Sequence, residues 1–180
     1  MSEYDPSDDT GADDSGADTT YGDDGVTAEF SDGSQVELID YDHDGYADEA
    51  LVDDNGDGVA DEVYTHSFGD GHELDTVSVD TNHDGVVDLV EADQNHDGHV
   101  DLVEQDRNHD GLIDTVVADT DFDGRADYAE LDTNFDGHAD VEAADTDGDG
   151  TFDTVHYEDP STNPLAGLTD TSAPSPYATS

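Results

Sequence analysis

From Asp40 to Tyr157, polar and apolar residues recur with a period of 13. Each period opens with a polar run rich in Asp and Gly and closes with a short mixed segment, as in "DLVEA" (88–92), "DTVVA" (114–118) and "DTVHY" (153–157). Full copies begin at Asp40, Asp53, Asp80, Asp93, Asp106, Asp119, Asp132 and Asp145. The wide gap after Asp53 holds a degenerate copy, "HSFGDGHELD" (66–75), which keeps Asp70 and Gly71 but lacks the leading Asp. Its trailing Asp75 falls one place late, and a weaker echo, "EFSDGSQVELID", precedes the first full copy. Position 8 is apolar in every full copy (Ala47, Ala60, Val87, Val100, Ile113, Ala126, Ala139, Phe152). Position 11 is apolar too (Ala50, Val63, Val90, Val103, Val116, Ala129, Val155), with Glu142 the exception. The pattern predicts a polar turn over positions 1–8 with one buried anchor at position 8. It predicts a short strand over 9–13 with 11 and 13 on one face.

Thirteen residues leave no room for a helix beside such a turn, so the expected class is all-β. No single copy can bury a core, and neighbouring copies must stack. The expected arrangement is a β-roll or solenoid of tandem loop-plus-strand units, with an antiparallel meander as the alternative. The repeat domain is expected to run over 27–159. Residues 1–26, nearly devoid of apolar side chains, read as a disordered acidic tail. Residues 160–180, rich in Pro, Ser and Thr, read as a flexible one.

Composition sharpens this picture. Acidic residues number 52 against two basic ones, Arg107 and Arg125, for a formal charge of −50. Such a chain repels nucleic acid and anionic membranes. Neither a membrane-length apolar run nor a classical signal peptide is present in the sequence. With no cysteine, thiolate chemistry and disulfides are excluded.

The regular spacing of the acid carries the chemistry. A hard cation such as calcium takes six to eight oxygens at about 2.3–2.6 Å, and alternate side chains of one tight loop can supply them. Positions 1, 3, 5 and 9 of each copy provide such a set. In chain order the candidate ligands are Asp40, Asp42, Asp44 and Asp48; Asp53, Asn55, Asp57 and Asp61; Asp80, Asn82, Asp84 and Asp88; and Asp93, Asn95, Asp97 and Asp101. They continue with Asp106, Asn108, Asp110 and Asp114; Asp119, Asp121, Asp123 and Asp127; Asp132, Asn134, Asp136 and Asp140; and Asp145, Asp147, Asp149 and Asp153. Gly at position 6 permits the sharp turn around an ion. Three copies place Glu at position 12 (Glu91, Glu104, Glu130), where it either ligates or is solvated. The expected load is several calcium ions, about six to nine.

These D-x-[DN]-x-D-G-x-x-D loops resemble the calcium loops of thrombospondin type 3 repeats, dockerins and FG-GAP repeats, and the EF-hand loop without its helices. The resemblance covers residues 40–153 and lies in the loops alone. It implies calcium and an extracellular or cell-surface setting. Thrombospondin repeats carry cysteines, dockerins carry helices and FG-GAP repeats are longer, so the likeness extends to neither fold nor partner.

Rival readings explain less. Solvation in high salt accounts for many Asp and no Lys, but not for the 13-residue register. His43, His83, His96 and His109 share position 4, and a column of imidazoles could hold a transition metal. That position is expected to point away from the ion, as exposed polar filler. Phe122 and Phe135 at the same place suggest packing between copies. Nothing resembles a catalytic triad, a zinc-protease motif or a phosphate loop. The functional expectation is a non-enzymatic calcium-binding protein, folded and rigidified by its ions and serving as a structural or adhesive module. A calcium buffer or sensor is the alternative, and no protein or surface partner is legible.

Overall fold

The computed structural model describes residues 17–22 and 25–158. These residues form twelve short strands and no helix. The described residues divide into two compact units, one ending at Gln105 and the other beginning at Asp106. The first unit holds β1 (Ala17–Tyr21), β2 (Gly25–Phe30), β3 (Gln35–Ile39), β4 (Glu49–Asp53), β5 (Glu62–Thr65), β6 (Thr76–Val79), β7 (Leu89–Ala92) and β8 (Leu102–Gln105). The second holds β9 (Thr115–Ala118), β10 (Tyr128–Leu131), β11 (Val141–Ala144) and β12 (Thr154–Tyr157).

Within each unit every strand pairs antiparallel with the next in sequence. The body is therefore an antiparallel meander, and the β-roll or solenoid expectation is corrected. A coil would set successive copies parallel, whereas each loop here reverses the chain beside its own strand. The loop closes when the N–H of position 9 donates to the carbonyl just before position 1, as in Asp101 to Ala92 (2.8 Å) and Asp140 to Leu131 (2.8 Å). Strand and loop together consume the whole period, so nothing is left for a crossover.

The first strand, β1, begins at Ala17, ahead of the repeats. Tyr21, Val26 and Leu38 lie side by side across β1, β2 and β3, which gives this Asp-rich stretch an apolar row to join. The weak echo at 29–40 is a tight hairpin between β2 and β3, in which Asp32 accepts hydrogen bonds from the Ser34 N–H (3.2 Å) and hydroxyl (2.7 Å). The remaining tail expectations, for 1–16 and 160–180, lie outside the described residues.

Register explains why the core is thin. Position 10 of one strand faces position 13 of the next, and 11 faces 12, as in Leu89↔Gln105 and Val90↔Glu104. Positions 11 and 13 share a face within a strand, but that face alternates from strand to strand. In the first unit one face gathers Val26, Leu38, Ala50, Tyr64 and Val77 across five strands, and Glu91 breaks that row at β7. The buried apolar residues are the small side chains Ala50, Ala92 and Ala129. Position 8 is no buried anchor: Val87, Val100, Ile113 and Phe152 are each at least 40% exposed. What is buried instead is acid. Asp53, Asp61, Asp80, Asp88, Asp101, Asp106, Asp114, Asp119, Asp132 and Asp140, all at positions 1 and 9, are each at most 8% exposed.

Candidate metal centre

Each loop is built by its own aspartates. In the Asp93 loop, Asp93 accepts from the N–H groups of His96 (2.7 Å) and Gly98 (2.8 Å). Asn95 Oδ1 accepts from the Asp97 N–H (2.8 Å), and Asp97 from that of His99 (2.9 Å). Asp101 closes the ring by accepting from the Gln94 (2.8 Å) and Asn95 (3.1 Å) N–H groups. The Asp106 and Asp132 loops repeat the scheme at position 1, with Gly111 and Gly137 donating at 2.7 Å. In this loop the side chains at positions 1, 3, 5 and 9 all accept hydrogen bonds from the loop's own backbone.

Two backbone positions permit this wrapping. Gly at position 6 has φ of 83–94° in all eight full copies. Position 4 is left-handed in all eight as well: Gly56 and Gly148, but also His43, His83, His96, His109, Phe122 and Phe135 at φ of 58–62°. Such a conformation costs a non-glycine residue about 1–2 kcal/mol. The side chains at position 4 are not mere filler. His83 Nδ1 lies 2.6 Å from Asp61 Oδ1 in the neighbouring loop at the same end of the sheet. The Arg107 guanidinium sits 5.4 Å from the centre of the Phe135 ring and donates to the Asp132 carbonyl (2.9 Å). Loops at one end are further joined by the position-1 N–H, which donates to the position-9 carbonyl of the loop before, as in Asp80 to Asp61 and Asp132 to Asp114 (2.8 Å each).

A second contributor is a threonine at position 2. The hydroxyls of Thr81, Thr120, Thr133 and Thr146 each donate to the position-9 aspartate, at 2.6–2.9 Å. Its recurrence in four copies is the sequence signal for this role, and position 4 carries a similar signal in its narrow choice of His, Phe and Gly.

Convergence of oxygens differs among the copies. Ligand atoms lie within 4.8 Å of one another for Asp40, Asp42 and Asp48, for Asp119, Asp121 and Asp123, and for Asp145, Asp147 and Asp153. These are the three loops with Asp at position 3. Where position 3 is Asn, its amide nitrogen stands among the carboxylates: Asn55 Nδ2 donates to Asp61 (2.9 Å) and Asn108 Nδ2 to Asp110 (2.9 Å). Asp44 turns to His72 Nδ1 at 3.1 Å, and Asp127 is held by Thr120. Glu91, Glu104 and Glu130 lie within strands, facing Val77, Val90 and Val116 across the ladder.

The electrostatics separate the positions. Burial pushes the carboxyls of Asp80, Asp93, Asp106, Asp119 and Asp145 up, but the N–H groups aimed at each outweigh it and leave them below the usual range. Asp121 is raised by burial and by Asp123 beside it. Asp147 is raised by Asp149 and Asp153. Position 3 is thus where like charges collide. The set is all hard oxygen, as calcium or magnesium prefers. One buried carboxylate oxygen, Asp114 Oδ1, has no hydrogen-bond partner, while Asp114 Oδ2 accepts from the Arg107 N–H at 2.8 Å. A buried anionic oxygen without a partner is rare in a folded chain. Comparison of the chain with family models, curated proteins and solved structures finds no match.

Proposed function

We propose that this is a non-enzymatic calcium-binding repeat protein whose fold is completed and stiffened by its ions. The observation that carries the reading is the burial of aspartate where other domains bury hydrocarbon, with the unpaired Asp114 Oδ1 as its sharpest instance. Burying carboxylates around one another is costly unless a cation joins them. The Asp40, Asp119 and Asp145 loops, with four carboxylates each, are the strongest sites; the Asn loops bind once the amide turns its oxygen inward.

Linkage sets the scale. Sites with Kd of about 10⁻⁴–10⁻³ M in about 1 mM calcium contribute roughly 0.4–1.4 kcal/mol each. Eight independent sites then contribute roughly 3–11 kcal/mol, comparable to the stability of a whole domain. Submicromolar calcium would leave such sites empty, so the role belongs outside the cell or on its surface, as a structural or adhesive element. Far-UV circular dichroism in millimolar calcium and in excess chelator tests this, together with a calorimetric calcium titration. The expected result is loss of strand signal in chelator and uptake of about six to nine ions with millimolar-range affinity. An unchanged strand signal in chelator would sink the proposal.

A further inference from the structure

The degenerate copy between β5 and β6 has lost the calcium-loop ligand at its head, and histidines stand in and around it. We propose that this loop binds a first-row transition-metal cation of the zinc class through His66, Asp75 and His96. Asp75 Oδ2 lies 3.0 Å from His66 Nδ1 and 3.8 Å from His96 Nε2. Two ligands on one tetrahedral zinc, each at about 2.0–2.1 Å, stand about 3.3 Å apart; the His66 and Asp75 atoms already lie near that spacing, and the His96 ring must swing toward them to share one ion.

The surroundings are prepared for it. The Asp75 side chain is 1% exposed. Its Oδ1 accepts from the Ser67 N–H (2.8 Å) and the Thr76 hydroxyl (2.9 Å), and its Oδ2 from the Phe68 N–H (2.9 Å). His96 Nε2 is buried and has no hydrogen-bond partner, although it points at an anionic oxygen. On its other side, His96 Nδ1 faces Glu73 Oε2 at 3.6 Å, an arrangement in which a carboxylate orients a ligating imidazole. A Cβ on Gly69 would come within 3.0 Å of His96 Nε2, so the glycine keeps this side of the ring open. His66 Nδ1 also lies 2.9 Å from the Glu73 carbonyl; on binding, solvent takes the Nδ1 proton and returns one to Nε2, and the Nδ1 lone pair takes the cation. Two imidazoles and one carboxylate suit zinc, cobalt or nickel, not a hard cation, and water completes the fourth position.

The test is a Co²⁺ titration of the full chain in saturating calcium, read by visible d–d absorption. One equivalent is expected to give a tetrahedral spectrum that excess Zn²⁺ abolishes. His66→Ala and His96→Ala should each weaken binding tenfold or more, while His99→Ala, at an exposed loop position, leaves it unchanged. Circular dichroism in calcium shows whether each variant keeps its strands. If one does not, imidazole NMR shifts of the unaltered chain decide: Zn²⁺ must move the His66 and His96 rings. Co²⁺ uptake unaffected by the two substitutions, or imidazole signals unmoved by Zn²⁺, overturns the proposal.

Discussion

At the scale of single residues, the 13-residue unit runs on unusual backbone and buried charge. Gly111 has φ of 90°, and a Cβ there would meet no atom within 4 Å, so Gly111→Ala incurs the conformational term alone. It should lower stability by about 1 kcal/mol in calcium-saturated urea unfolding. Phe122 is the mirror case, an aromatic at φ 61° and 43% exposed. Phe122→Gly should raise stability by about 1 kcal/mol in the same assay; a decrease would mean that the ring makes contacts worth more than the strain. Asp114 joins both themes. Asp114→Ala strands the Arg107 and Asn108 N–H groups, at a cost of about 1–3 kcal/mol, and should also abolish one calcium site in the titration.

At the scale of the loop, position 3 sets the charge. The Asp119 loop carries four carboxylates and Asp121→Asn reduces them to three, the number in its Asn-bearing relatives. Calcium affinity of that loop should fall, while the calcium-free protein becomes slightly more stable because the collision with Asp123 is removed. The same logic gives a pH dependence. The carboxyls of Asp121 and Asp147 are raised in the folded state, so they bind protons there at a higher pH than in the unfolded chain. Calcium-free stability should therefore rise as pH falls from 7 toward about 4, the ordinary carboxylate range. Below that range the depressed groups, Asp80, Asp93 and Asp106 among them, protonate and their stabilisation is lost. With calcium the upper part of the profile should invert, since protons compete with the ion. The strand signal in chelator at pH 7 and 4.5, and thermal melts in calcium at the same two pH values, check the sign.

At the scale of the molecule, each unit is a meander in which every strand touches only its neighbours, and the pairing of 10 with 13 and 11 with 12 recurs from copy to copy. Removing one whole period leaves the same pairing on either side of the cut. Deletion of Asp119–Leu131 should give a protein that still folds in calcium, with one ion fewer by calorimetry. Deletion of six residues from the same copy should not, because it breaks both a loop and the register. In the second unit the register brings Leu131, Val141, Val117, Ala129, Ala143 and Val155 to one face and Glu130, Glu142 and His156 to the other. That segregation comes from the particular residues of these copies and not from the period.

The period and the all-β class were legible in the sequence. Both are local: Asp at alternate positions and Gly at position 6 shape a nine-residue turn wherever it sits. What lay between copies was not legible. Roll and meander present the same spacing, and only the direction in which each loop returns the chain separates them. The antiparallel register puts positions 11 and 13 on opposite faces in successive strands, and position 8 lies in the loop outside the strands, where Val87, Val100 and Ile113 are exposed rather than anchored. The reach of His83 to Asp61 joins residues 22 apart in the chain, and that of His96 to Asp75 joins residues 21 apart. Local propensity and spacing determined the loop; the tertiary structure decided which loops stand side by side, and so which charges meet.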